Sequence, residues 1–158
     1  MLRRYRLRAL ACAGAVSALV PAPSFAAEHA KPEFLTSPEL ARQELPFSEA
    51  VRVGDLMFLS GQIGYDPANG KVVPGGIKAE ARQALTLIKG VLTRNGASLA
   101  DVVKCTVFLA DIAEWPTFNE VYIEFFKKPY PARSALATSG LARNARVEVE
   151  CIAYAPKP

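Results

Sequence analysis

The chain has 158 residues, with 19 Lys and Arg against 15 Asp and Glu for a formal net charge of +4, three cysteines and a single histidine. That histidine, His29, lies in a polar arm ahead of the body of the chain, so the body cannot assemble the usual Ser-His, Cys-His or zinc sites, and no acidic cluster has Mg²⁺ or Ca²⁺ spacing. Metal catalysis is therefore not expected, and since Gly75-Gly76 lacks the lysine and the preceding strand of a phosphate loop, no cofactor is predicted.

Met1 to Ala26 carries Arg3, Arg4, Arg6 and Arg8, then an apolar stretch from Ala9 to Val20, then Ser24-Phe25-Ala26 with small residues placed for cleavage. This is the pattern of a secretory signal peptide, and the apolar stretch is short for a membrane-spanning helix. Cleavage after Ala26 is expected, leaving a soluble protein in a periplasm or outside the cell, with no membrane contact thereafter. Arg3-Arg4 alone does not distinguish twin-arginine from general export. The leader contains four arginines and no acid, so its loss brings Lys and Arg down to 15 against 15 Asp and Glu. A neutral chain has no bulk electrostatic footprint for nucleic acid, whose binding rests on neutralising phosphates.

Residues 27–44 are polar with Pro32 and Pro38, and read as an exposed, partly disordered arm. Residues 45–158 read as one domain with a single core and no internal repeat. Short strands are expected at Ala50 to Val53 and Leu56 to Ser60 around Gly54-Asp55, followed by a turn at Asp66 to Gly70 and a brief strand at Lys71 to Val73. Ile77 to Arg94 has Ile77, Ala81, Leu85, Ile88 and Leu92 on one stripe, an amphipathic helix closed by Asn95-Gly96. Val102 to Leu109 reads as a strand with Val103, Cys105, Val107 and Leu109 on one face. A second helix opens near Trp115-Pro116, proline suiting a first helical position, and buries Phe118, Val121, Tyr122 and Phe125.

The last segment reads KPYPARSALATSGLARNARVEVECIAYA from Lys128 to Ala155. Val147, Val149 and Cys151 alternate with Glu148, Glu150 and Ile152, the pattern of a half-buried strand. If this strand pairs with the run after Arg133 as a hairpin closed near Ser139 to Ala142, Arg133 falls opposite Glu148 or Glu150 on a shared face. A guanidinium matches a substrate carboxylate bidentately, and a nearby glutamate can take a proton from water. Cys105 and Cys151 both read as small buried hydrophobes, the commoner fate of free cysteine. An oxidising compartment permits a bridge between them, but spacing does not say whether the sulfurs meet, and the unbridged reading is preferred. The order of elements gives an α+β fold, a mixed sheet with two helices on one face. The other face, with Lys104, Thr106, Phe108, Glu148, Glu150 and Ile152, is then open and partly apolar, which suggests self-association.

Pro-Ala-Arg133-Ser134, the loop at Leu141 and the strand VEVECIA (Val147 to Ala153) resemble the C-terminal motif of the RidA/YjgF family of reactive-imine deaminases. VGDLMFLSGQI (Val53 to Ile63), EARQALTLIKGVL (Glu80 to Leu92), LADVVKCTVFLADI (Leu99 to Ile112) and FNEVYIEFF (Phe118 to Phe126) extend the resemblance from Leu45 to Pro156. It implies a chorismate-mutase-like fold assembled as a homotrimeric barrel, with ligand clefts between subunits, and hydrolysis of enamine/imine intermediates such as that from 2-aminoacrylate. Carried over by residue, Arg133 matches the arginine that clamps the substrate carboxylate and Glu148 the glutamate that orients or activates water. Ser60, Gly61 and Gln62 match a pocket-lining segment, Ser134 the residue after the arginine, and Asn119 a helix position near the cleft. Three positions depart from the pattern: Phe47 stands where a pocket tyrosine is common, Ala135 replaces a frequent cysteine, and Ala142 replaces the loop proline. These departures, with the leader, keep a second reading in view: a non-catalytic module that binds small carboxylates or protects client proteins.

Overall fold

The computed structural model describes residues 30–157; the expected leader lies outside the described residues. Strand β1 (Glu33–Leu35) is followed by a single helical turn, α1 (Pro38–Ala41), capped by Ser37, whose Oγ accepts from Leu40 N at 3.3 Å. The arm expected to be partly disordered is thus tied to the domain, because β1 runs antiparallel to β2 (Ala50–Val53) with Phe34 opposite Val51. β2 turns at Gly54-Asp55, as expected, into β3 (Leu56–Leu59).

Next come β4 (Gln62–Ile63) and a small hairpin of β5 (Tyr65–Asp66) with β6 (Lys71–Val72). Helix α2 (Gly76–Arg94) buries the anticipated stripe: Ile77 is 8% exposed, and Ala81, Leu85, Ile88 and Leu92 are fully covered. It ends where the sequence says it should, with Gly96 at φ 76° and Ala97 N donating to Leu92 O at 2.9 Å. Arg52, almost wholly buried, donates to the Asn95 carbonyl at 2.8 Å and to that of Ala155, tying β2 to the negative end of the helix and to the C-terminus.

β7 (Val102–Leu109), α3 (Trp115–Phe125), β8 (Ala132–Ala137) and β9 (Val147–Tyr154) complete the domain. In β7 an irregularity between Val102 and Lys104 shifts the alternation by one, so Val102 is buried and Val103 is 45% exposed, the reverse of expectation for that residue. In α3, Phe118, Val121 and Tyr122 are buried as expected, whereas Phe125 is only half-buried and Phe126, just beyond the helix, is buried in its stead.

The expected hairpin between β8 and β9 does not form. β8 pairs parallel with β7, Arg133 beside Cys105, while β9 pairs antiparallel with the other edge of β7, Cys105 beside Cys151. The sheet order is β1-β2-β3-β9-β7-β8, with β4 also on β9. β7, α3 and β8 form a strand–helix–strand crossover, the only economical way to join neighbouring parallel strands. That same register corrects the preference for unbridged cysteines: Cys105 and Cys151 are directly opposed, with Cα atoms 4.1 Å apart, and form a disulfide.

Both helices lie on one face of the sheet, over a core that includes Met57, Leu85, Val107, Val147 and Val149. The other face is open. Phe58 and Leu136 are 42% and 43% exposed there, with Phe108 and Ile152 half-buried between them.

Candidate active site

Glu148 sits one residue into β9 on the open face, in register with Ile63 of β4 and Phe108 of β7. Its carboxyl rests against the junction of β3 and β4. A Cβ at Gly61 would lie 1.9 Å from Glu148 Oε1 and 2.8 Å from its Cδ, so the backbone must be bare there for the carboxyl to occupy this position. Burial raises the Glu148 pKa above the usual 4.5, and the like charge of Glu150, two residues along the same face, raises it further. A carboxyl held this way keeps its proton to higher pH than a free glutamate, a shift in the direction that suits general acid–base work.

Phe47, Gly61, Gln62 and Glu148 line one cleft of about 290 Å³. Ser60 supports it from behind: its hydroxyl donates to the Ser48 carbonyl at 2.7 Å and its N–H to that of Glu49 at 3.0 Å, which fixes the segment carrying Phe47. Gln62 is opposite Val149 in the row facing the helices, and its amide makes only a weak 3.5 Å contact to the Ser60 carbonyl.

Glu49, Tyr65 and Arg143 also line the cleft, and sequence reasoning did not single them out. The Glu49 carboxylate is paired with Arg94, and Arg143 donates to the Gly70 carbonyl. Burial raises the Tyr65 phenol pKa, the Glu49 charge adds to this, and Arg143 and Arg94 oppose it. Two-residue periodicity could have found Tyr65, which follows Ile63 by two positions on extended chain. Glu49 and Arg143 left no such signal.

Arg133, Asn119 and Ser134 lie elsewhere. As the neighbour of Cys105 in register, Arg133 points to the helix side, and its guanidinium lies 4.5 Å from the centroid of the Tyr122 ring and 5.8 Å from that of Phe118. This is cation–π support in a half-buried setting. Among the described residues Arg133 has no acidic partner. Two buried atoms of the same helix, Asn119 Oδ1 and the Tyr122 hydroxyl, have no hydrogen-bond partner. Ser134 points the other way and accepts from Lys104 Nζ at 2.9 Å on the open face.

The expected juxtaposition of Arg133 with Glu148 or Glu150 is therefore absent within one chain. β7 separates their strands and the two side chains leave opposite faces of the sheet. The chain instead carries two candidate half-sites, one with a carboxyl in a cleft and one with a guanidinium on an aromatic platform.

A family model described as Endoribonuclease L-PSP matches residues 39–155. A Bos taurus protein named 2-iminobutanoate/2-iminopropanoate deaminase is 47% identical over 108 residues, 68% of this chain and 79% of the relative. A Dermatophagoides farinae protein of the same name is 43% identical over 122 residues, 77% and 95% of the two chains. Among solved structures, a putative endoribonuclease from Thermotoga maritima superposes with a TM-score of 0.69 at 37% identity, covering 82% of this chain and 98% of that one. RidA from an Antarctic Psychrobacter gives 0.68 at 34% identity, with 80% and 98% covered.

Proposed function

This chain belongs to the RidA/YjgF family, to which the Endoribonuclease L-PSP model corresponds, and on that premise we propose that it hydrolyses reactive 2-imino acids to 2-oxo acids and ammonia. The observation that carries the reading is the state of the two half-sites. Arg133 is a half-buried cation over the Tyr122 ring without an acidic partner among the described residues, and Glu148 is a carboxyl whose pKa is raised by burial and by Glu150.

In the proposed reaction the substrate carboxylate docks on the Arg133 fork. With the substrate nitrogen protonated as an iminium, Glu148 takes a proton from water as its oxygen bonds to the iminium carbon, giving a neutral carbinolamine. Return of that proton to nitrogen lets the C–N bond break as C=O forms and the hydroxyl proton passes back to Glu148, releasing ammonia and leaving the 2-oxo acid.

Since Arg133 and Glu148 leave opposite faces of one sheet, the complete site requires Arg133 from one copy and Glu148 from another. Such a head-to-tail contact closes into a ring; a homotrimer is the closure that the family resemblance implies, and the open apolar face supports it. We place the protein outside the cytoplasm. The leader pattern supports export, and the buried Cys105–Cys151 bridge fits an oxidising compartment. The balanced charge after residue 26 gives no support to an RNA-cleaving role.

The test is ammonia and 2-oxo acid release from imino acids generated in situ by an amino-acid oxidase, beside the spontaneous rate. Arg133→Ala should raise KM by roughly a hundredfold, as for a lost charge-assisted pair of about 3 kcal/mol. Glu148→Gln should lower kcat by about 10²–10⁴-fold, the usual worth of a positioned proton-transfer group. A folded wild-type protein that never exceeds the spontaneous rate would leave a carboxylate-binding module as the reading.

A further inference from the structure

We infer that the cleft beside Glu148 reads the substrate side chain and selects imino acids with large apolar side chains, an inference that rests on the deaminase reading above. The geometry assigns the parts of the substrate. The carboxylate belongs to Arg133 and the reacting carbon to Glu148; of the two remaining substituents the imine nitrogen is a single heavy atom beside that carbon, so the space extending from Glu148 along its own subunit is left for the side chain. This space measures about 290 Å³. A water molecule's share of liquid is about 30 Å³, so a methyl or ethyl group would leave most of the cleft filled with solvent.

Its walls are suited to hydrocarbon. Leu40, Leu45 and Phe47 come from one side, Ile63 and Ala142 from the other. Leu45 and Phe47 are 37% and 51% exposed without a ligand, apolar surface that a bulky side chain would cover. The arm builds this wall: pairing of β1 with β2 and the Ser37 cap on α1 lay residues 40–47 along the cleft that Glu148 also lines. Of the charged groups there, Glu49 is paired with Arg94, whereas Arg143 has one donor on the Gly70 carbonyl and keeps its charge, so the glutamate-derived imine is the competitor that probes it.

The experiment compares kcat/KM for imino acids made by an amino-acid oxidase from leucine, alanine and glutamate, with wild type, Leu40→Ala and Leu45→Ala. The leucine-derived imine should exceed the alanine-derived one by on the order of tenfold or more, and each variant should shrink that ratio while remaining folded by circular dichroism. A ratio near or below one, or preference for the glutamate-derived imine, overturns the inference while the turnover itself upholds deamination. If no imine is turned over, deamination fails, and binding of the stable 2-oxo acids decides the cleft separately. Tighter binding of 4-methyl-2-oxopentanoate than of pyruvate, lost in Leu45→Ala, sustains the selectivity; equal binding overturns it.

Discussion

Arg133 depends on what lies beneath it. A guanidinium 4.5 Å above the Tyr122 ring is held in orientation by the ring face, while the phenol hydroxyl of that same residue is buried without a partner. Ring and hydroxyl therefore make separable contributions. Tyr122→Phe keeps the platform and removes an unsatisfied polar atom, so carboxylate affinity should be retained, with stability equal or higher. Tyr122→Leu removes the platform and should raise KM about three- to tenfold, with kcat little changed, for a cation–π contribution of about 1 kcal/mol. Equal loss in both variants would show that the hydroxyl, not the ring, is what matters. At Glu148 the sign of the pH effect is set by its causes. Burial and Glu150 both disfavour the carboxylate, so the acid limb of kcat/KM should lie above the ordinary glutamate value of 4.5, activity falling as pH drops through it. Glu150→Gln removes a like charge and should move that limb to lower pH; a limb that stays put or moves up would contradict the assignment of Glu148 as the titrating group.

At the scale of elements, local periodicity was legible and long-range pairing was not. The α2 stripe, the β2–β3 turn and the alternation of β9 all follow from side-chain spacing, which depends only on neighbours in sequence. The partner of β9 does not. A short loop at Ser139 to Ala142 suggested a hairpin, but the helix between β7 and β8 required those two strands to be parallel neighbours, and β9 then paired on the remaining edge of β7. A strand–helix–strand order was visible in the chain and was the better guide. The same pairing placed Cys105 opposite Cys151, which spacing alone could not reveal. Their bridge closes a loop with a sequence separation of 46. Chain-entropy arguments for a loop of that size give about 4 kcal/mol of stabilisation, so Cys105→Ser with Cys151→Ser should lower the denaturation midpoint accordingly. Thiol titration of the unfolded protein beginning at Ala27, which lacks Cys12, should find no free thiol without reductant; two reactive thiols and an unchanged midpoint in the double variant would contradict the bridge.

For the whole molecule, the division of the candidate residues between two faces explains why the sequence could nominate them and could not show whether they meet. Phe47, Gly61, Gln62 and Glu148 meet in one cleft, while Arg133 and Asn119 gather around α3 on the far side of the sheet. The family resemblance nominates each residue, but a one-chain fold gives no distance between the halves. The most direct measurement is therefore complementation between Arg133→Ala and Glu148→Gln proteins, assayed at substrate levels below the wild-type KM where each is nearly inactive alone, after subunits are exchanged by co-refolding in equal amounts. If Arg133 from one copy serves Glu148 from another, about one site in four of a randomly mixed ring is intact, and imine hydrolysis should recover to roughly a quarter of the wild-type rate. No recovery in assemblies shown to contain both variants would contradict a shared site, and with it the proposed pairing of carboxylate clamp and proton-transfer group.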